Sequence, residues 1–247
     1  MKSRLLALGL LLVPSILNAG AALPDPATKD KVPPIAIVQA MIWKRLDLAD
    51  FTLTGSVRSD KTKISYPITL RTKGHELVYE FNNQPLQIRV QLNPGSVVVE
   101  KRASPSGSWA PITAADRAKA IFGTDVTYED LGIDFVNWDD IQPLGTDNIK
   151  TLDAYVFEAK PGPNDHSRFA SVRFWVSKQY WTFLRIDGVN AKGQTVKRVE
   201  VQNVMKVADK YYVFKEMKVA TMAPDKDDIA SSTTFIDIDD GKEGSGL

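Results

Sequence analysis

Two histidines, His75 and His166, and no cysteine are the whole supply of imidazole and thiol in 247 residues. That supply limits the chemistry. Without cysteine there is no disulfide, no thiolate metal site, no thiol nucleophile and no N-terminal cysteine to carry a lipid. A Ser–His–Asp hydrolase needs an ordered nucleophile, and no G-x-S-x-G elbow occurs. Zinc would need both histidines plus carboxylates from distant loops. His75 sits in Lys73-Gly74-His75-Glu76, a hairpin tip, and His166 in Asn164-Asp165-His166-Ser167, a polar loop. Both read as turn residues. Asp237-Ile238-Asp239-Asp240-Gly241 has a calcium-loop look. It lacks the third acidic position and the distal Glu of an EF-hand, so it reads as a strand end with solvated acids. The expectation is a non-enzyme with no cofactor and no metal.

The charge balance removes another class. Lys plus Arg number 31 and Asp plus Glu 30, unlike a protein that binds nucleic acid by neutralising phosphates. Hydrophobic residues make up 43% and charged residues 25%, a globular composition. The first 22 residues differ from the rest. Lys2 and Arg4 precede an apolar run over residues 5–17, interrupted by Gly9, Pro14 and Ser15 and followed by Asn18, Ala19, Gly20, Ala21 and Ala22. The run is too short for a spanning helix, which needs ~20 apolar residues. Small residues at alternate positions suit cleavage, so residues 1–22 read as a signal peptide. Removing Lys2 and Arg4 leaves 29 basic against 30 acidic residues, a net charge of −1. The mature protein is expected in a periplasm, and it is not itself a lipoprotein.

Residues 23–34 are rich in Pro and charge and read as an extended leader. A helix is expected after Pro33-Pro34, with Ile35, Val38, Ile42, Leu46 and Ala49 as one apolar stripe and Trp43 beside it. From Phe51 the period becomes two. Phe51, Leu53, Gly55 and Val57 alternate with polar residues, as do Ile64, Tyr66, Ile68 and Leu70. Leu77, Tyr79 and Phe81 follow, then Leu86, Ile88, Val90 and Leu92. A fifth strand covers residues 97–99. Pro67 lacks a ladder donor, which predicts an edge or a bulge there. Thr113 is placed to cap a helix over residues 114–122 that Gly123 ends, and residues 127–131 suit a single turn. Strands resume over residues 154–158, 168–177, 181–187, 195–204, 211–220 and 229–238, with Asn190-Ala191-Lys192-Gly193 as a hairpin turn. The tail, residues 241–247, reads as frayed and flexible. About eleven strands with two or three helices predict a mainly β (α+β) fold. It is one antiparallel sheet curled into an incomplete barrel, with the helices as lid or plug over an apolar cavity.

Several stretches carry a family resemblance. Asp125-Val126-Thr127-Tyr128-Glu129-Asp130-Leu131 resembles the D-x-[ST]-Y-E-D-L element of the outer-membrane lipoprotein-sorting protein family, the LolA-like superfamily. Phe174-Trp175-Val176-Ser177-Lys178-Gln179-Tyr180-Trp181-Thr182-Phe183-Leu184-Arg185-Ile186 is similar to its strand, turn and aromatic–x–x–Leu–Arg strand. Ser232-Thr233-Thr234-Phe235 resembles its threonine-bearing last strand. The resemblance covers residues 35–240, taken as one domain. Prolines and a glycine that the family often has near Thr182, Lys210 and Phe214 are missing here.

The resemblance implies a half-barrel that binds acyl chains of lipids or lipoproteins and ferries them toward the outer membrane. It implies a monomer whose partners include an inner-membrane transporter or permease. It also leaves an alternative, an envelope-stress or regulatory sensor that binds a membrane partner protein. On the fold alone, the expected lining is Leu53, Ile68, Tyr79, Phe81, Ile88, Val90, Phe174 and Val176, with Trp43, Phe122 and Trp138 from the lid. A shift of one residue in register would present the opposite face. In the motif, Glu129 and Asp130 have two readings. They contact a partner or headgroup, or they cap a turn while Tyr128 and Leu131 pin the loop. The second is preferred.

Overall fold

The computed structural model describes residues 24–207, 211–224, 226 and 228–244. The expected signal peptide lies outside them. Among the described residues, thirteen strands form one antiparallel sheet. The first meander is β1 (Leu48–Ser59), β2 (Ser65–Gly74), β3 (Glu76–Phe81), β4 (Gln87–Asn93), β5 (Ser96–Arg102) and β6 (Ala110–Pro111). The second is β7 (Asp140–Ile149), β8 (Leu152–Lys160), β9 (Ser171–Ser177), β10 (Phe183–Val189), β11 (Thr195–Val207), β12 (Tyr211–Met222) and β13 (Ala230–Glu243). β1 pairs with β13, so the meanders meet at one seam and the two free edges are β6 and β7. Those edge strands are consecutive in the chain. The segment between them, residues 112–139, crosses the concave face as the lid.

The alternating pattern holds because each strand buries one face. Ile68, Phe81, Ile88, Val90, Phe174 and Val176 join Trp43 and Trp138 in the main core cluster. Leu53 does not. It belongs to a smaller cluster with Phe51, Leu70, Val207 and Ile238, while Tyr79 packs against both. α1 (Ile35–Arg45) brings Val38, Ile42 and Trp43 onto the core, and its last turn carries Lys44 and Arg45, as the helix dipole favours. The helix is shorter than its apolar stripe because β1 begins at Leu48.

Several sequence expectations are corrected. Two strands were not anticipated. β6 is only a pair of residues. β7 carries Pro143 and Gly145 and has no apolar alternation, and it is an edge, where a missing donor is tolerated. Pro67 lies in a central strand, neither at an edge nor at a bulge. Its carbonyl accepts from Asn82 N at 2.9 Å. Its nitrogen points the same way, so the absent N–H gives up only the return bond to Asn82, the first residue past the end of β3.

The leader is not extended. Pro26–Lys31 is a 3-10 turn docked on β7, with Thr28 Oγ1 accepting from Thr146 N at 2.8 Å. The approach is close enough that a Cβ at Gly145 would stand 2.7 Å from the Asp25 carbonyl oxygen and from Thr28 Oγ1. Within the tail, residues 241–243 belong to β13, where Phe51 pairs with Glu243 and Leu53 with Gly241. The described tail is a strand because β1 starts early enough to supply a partner.

The expected helix over residues 114–122 is a single turn, α2 (Ala114–Arg117), and Thr113 makes no side-chain cap. A separate 3-10 turn, Ile121–Gly123, follows. Its Phe122 takes φ +51° and Gly123 φ +71°. Two left-handed residues in a row cannot continue an α-helix. Tertiary contact fixes that conformation: the Phe122 ring stacks on Tyr66 with centroids 4.9 Å apart and meets Phe81 edge-on at 5.0 Å.

Candidate functional site: the lid and its seam with the sheet

α3 (Tyr128–Leu131) opens on Thr127. The Asp130 carboxylate accepts from the Thr127 N–H and from Thr127 Oγ1, both at 2.8 Å. That bond closes the first turn of a helix too short to stand alone. The same carboxylate lies 2.9 Å from Lys197 Nζ, and both side chains are 5% exposed. Lys197 also donates to the Asp125 carbonyl. Arg168 reaches Glu129 and Asp130 at 3.3 Å each, and Ser167 Oγ donates to Glu129 Oε1 at 2.6 Å.

Asp125 is the deepest anchor. Its carboxylate is buried and accepts from three hydroxyls: Thr221 Oγ1 at 2.7 Å, Thr234 Oγ1 at 2.9 Å and Ser232 Oγ. A buried carboxylate is tolerated when each oxygen is satisfied in this way. Three of the four elements that hold the motif, β11, β12 and β13, come from the second meander's far end. The fourth is the loop before β9.

The lid is apolar toward the sheet. Ile121, Val126, Phe135, Val136 and Trp138 are buried in the main core, and Phe122 is packed against it. Phe135 meets Phe174 and Phe183 with centroids 5.2 and 5.7 Å away. The barrel interior is therefore occupied mainly by the protein's own side chains. One half-open cleft on the seam has about 40 Å³ of free space, and a second beside it, under β5 and Tyr128, about 100 Å³. These hold waters rather than an acyl chain. A ready-made hollow, as the sequence suggested, is not what the closed lid leaves.

The attachment of the lid is chemically distinctive. Among the described residues, every hydrogen bond tying residues 113–138 to the rest of the protein runs through a side chain. Besides the Asp125 and Asp130 contacts, Gln39 Nε2 donates to Val136 O at 2.6 Å. Asn137 Oδ1 accepts from Gly95 N at 3.1 Å, and Tyr66 OH donates to Phe122 O at 3.4 Å. The lid has no strand in the ladder.

The lining residues named from sequence divide accordingly. Trp43, Ile68, Phe81, Ile88, Val90, Trp138, Phe174 and Val176 come together under the lid, with Tyr79 and Phe122 at its margin and Leu53 apart. Burial pushes the Tyr79 hydroxyl up to about 12. His75 Nδ1 lies 3.2 Å from Leu46 O, and His166 is exposed on another loop. Asp237 faces Arg58 at 3.3 Å within β13, and no metal-competent group of three His, Cys, Asp or Glu occurs among the described residues. Sequence reading missed Lys197, Arg168 and Arg117. Lys197 had a signal: it shares the apolar phase of its strand with Val199, and both line the seam cleft.

A family model described as "Uncharacterized protein" matches residues 106–240. No curated protein matches the chain. Among solved structures, a putative outer membrane lipoprotein-sorting protein domain from Vibrio parahaemolyticus aligns with TM-score 0.69 at 16% identity, over 89% of this chain and 94% of that one. A DUF1329 family protein from Desulfovibrio piger aligns with TM-score 0.64 at 17% identity, over 87% and 95%. A LolA superfamily protein from Nitrosomonas europaea gives TM-score 0.56 at 15% identity, over 83% and 93%. At these identities the likeness is one of fold. No helix among the described residues is long and apolar enough to cross a membrane.

Proposed function

For a chain that belongs to the family of uncharacterized proteins matched over residues 106–240, and whose fold is that of the LolA-like structures, we propose a carrier function. The mature protein binds acyl chains of lipids or lipoproteins in the periplasm and moves them toward the outer membrane. It does so without a chemical step. Residues 1–22 are removed on export, and the domain works as a monomer that receives cargo from an inner-membrane transporter.

The observation that carries this reading is the lid's attachment. Ile112 stays with β5 by donating to Val99 O at 2.8 Å. Over residues 113–138 the apolar cover is fastened by hydrogen bonds through side chains alone, so it can leave the concave face without breaking the sheet. Its five buried apolar side chains are worth about 2 kcal/mol each, about 10 kcal/mol in all. About a dozen methylenes of an acyl chain, at ~0.8 kcal/mol each, return a similar amount. The apolar share of an exchange of lid for cargo is then nearly balanced, and the polar bonds of the seam favour the lid's return, which suits a carrier that must both load and release. The cargo takes the place of lid side chains against Phe174, Phe81 and Ile88.

The test uses the mature protein, delipidated and offered a fluorescent acyl probe, with extraction of lipid from the freshly purified material. Saturable uptake displaced by unlabelled acyl chains supports the proposal. Absence of extractable lipid together with absence of uptake rejects it.

A further inference from the structure

β11 and β12 outrun their neighbours. β10 pairs with β11 no further than Glu200, and β13 pairs with β12 no further than Glu216. Past those points, among the described residues, the two strands pair only with each other, out to Val207 opposite Tyr211. The register shifts twice at the base of this ribbon, on either side of Asn203, which bends it away from the plane of the sheet. Lys150 Nζ reaches the same base and donates to Gln202 O at 2.9 Å.

The two faces of the ribbon differ. Met205 opposite Val213 and Val207 opposite Tyr211 make the inner one. It packs on Phe51, Leu53 and Ile238, and the Tyr211 ring meets Phe51 edge-on with centroids 5.0 Å apart. A lone two-stranded ribbon is marginal in water, so this packing is what holds it in place. The outer face takes Val204 and, two residues on, the cross-strand pair of Lys206 and Tyr212. Val204 is 60% and Tyr212 72% exposed. Among the described residues no large hydrophobic side chain is more exposed than these two. They are diagonal neighbours across the ribbon and form one patch. An outer sheet face is ordinarily polar, so the patch calls for an occupant.

Charge and size identify the occupant. The whole chain is nearly balanced, yet residues 201–215 carry Lys206, Lys210 and Lys215 against Asp209 alone. Lys206 and Lys215 are exposed. The patch is a few residues across, far short of the roughly 20–30 residues a side of a stable protein interface. A bilayer needs only shallow anchors: tyrosine sits at headgroup depth, and lysines beside it meet anionic lipid phosphates. We infer that the outer face of this ribbon is a docking surface for an anionic lipid bilayer, with Val204 and Tyr212 set into the headgroup layer. The inference goes beyond the carrier reading and does not depend on it, since docking needs no cargo.

The experiment is sedimentation of the mature protein with vesicles of two compositions, phosphatidylcholine alone and equal parts phosphatidylcholine and phosphatidylglycerol. Binding to the mixed vesicles is expected to be about tenfold tighter at low salt, and the difference should shrink as sodium chloride is added. Tyr212→Ser should weaken binding to the mixed vesicles about fivefold. Lys206→Glu combined with Lys215→Glu should erase the preference between the two compositions. All three positions are exposed, so the thermal melting profile should stay that of the unaltered protein. Failure to sediment with the mixed vesicles, equal affinity for both compositions, or binding that neither variant weakens overturns the inference. Sedimentation seen only with vesicles made from whole membranes, proteins included, assigns the face to a protein and overturns it as well. The comparison of compositions on the unaltered protein decides even where a variant fails to fold. Uptake of a soluble acyl probe is a separate measurement, so its failure removes the carrier reading and leaves docking to be judged by the vesicles.

Discussion

Thr234 and Asp125 exchange two hydrogen bonds across the seam between sheet and lid. The Thr234 hydroxyl accepts from the Asp125 backbone N–H at 2.9 Å and donates to Asp125 Oδ2 at 2.9 Å. One hydroxyl thus satisfies a buried backbone donor and half of a buried carboxylate. Thr234→Val removes both bonds at nearly constant volume. The expected cost is about 1–3 kcal/mol of unfolding free energy, measured by urea denaturation. Hydrogen exchange in residues 113–138 should accelerate more than in β8 and β9. Equal acceleration in both regions would mean that the pair does not hold the lid in particular.

Lys197 is the buried cation of the same seam. Lys197→Met keeps the apolar stem and deletes the charge, leaving Asp130 short of its nearest cation. Removing one member of a buried pair costs about 3–5 kcal/mol. Denaturant titration should show the loss, and acyl-probe uptake in the surviving folded protein should become faster because the lid is looser.

Phe122 is tested by comparing two replacements. Its φ of +51° suits glycine and strains other residues. Phe122→Ala loses the stack on Tyr66 and keeps the strain; Phe122→Gly loses the stack and relieves it. The glycine variant should be the more stable by about 1 kcal/mol. The reverse order in thermal melting would mean that the left-handed turn does not persist.

These residues also mark how far sequence reading reached. Period-two alternation located Ile68, Ile88 and Phe174 because a half-buried strand writes its burial directly into residue type. It failed at β7, where Pro143 and Gly145 interrupt an edge strand that packs against the leader rather than presenting one alternating apolar face. It failed at residues 114–122, where helical spacing was real but Phe122 was drawn into the aromatic pocket of β2 and β3. The acids of the motif were visible. Their partners were not, because Arg168 and Lys197 lie about 40 and 70 positions away in sequence and only the curl of the sheet brings them together.

Gly55 controls the joint between the meanders. The register of β1 against β13 shifts there, and a Cβ would fall 1.9 Å from the Asp237 carbonyl oxygen. Gly55→Ala must push the two backbones apart at the seam. The expected destabilisation is about 3 kcal/mol, read as a lower urea midpoint. An unchanged midpoint would show that the bulge can relax elsewhere.

Tyr79 gives the pH dependence. Its folded value of about 12 stands above the ordinary value of 10.0 because burial disfavours the phenolate. The associated stability is complete below pH 10 and is lost as pH rises toward 12. Tyrosinate absorbance should show one of the seven tyrosines titrating late. Tyr79→Phe should remove that late step and flatten the decline in alkaline stability.

Because the two rims of the sheet are neighbours along the chain, the cover is a strap riveted at both ends, like the handle of a pail. It can bow outward but cannot flap free. The gap it opens is bounded by its own slack, so the girth of any guest is set by the length of chain between β6 and β7. Lengthening that strap with inserted glycines would widen the doorway without touching a single wall.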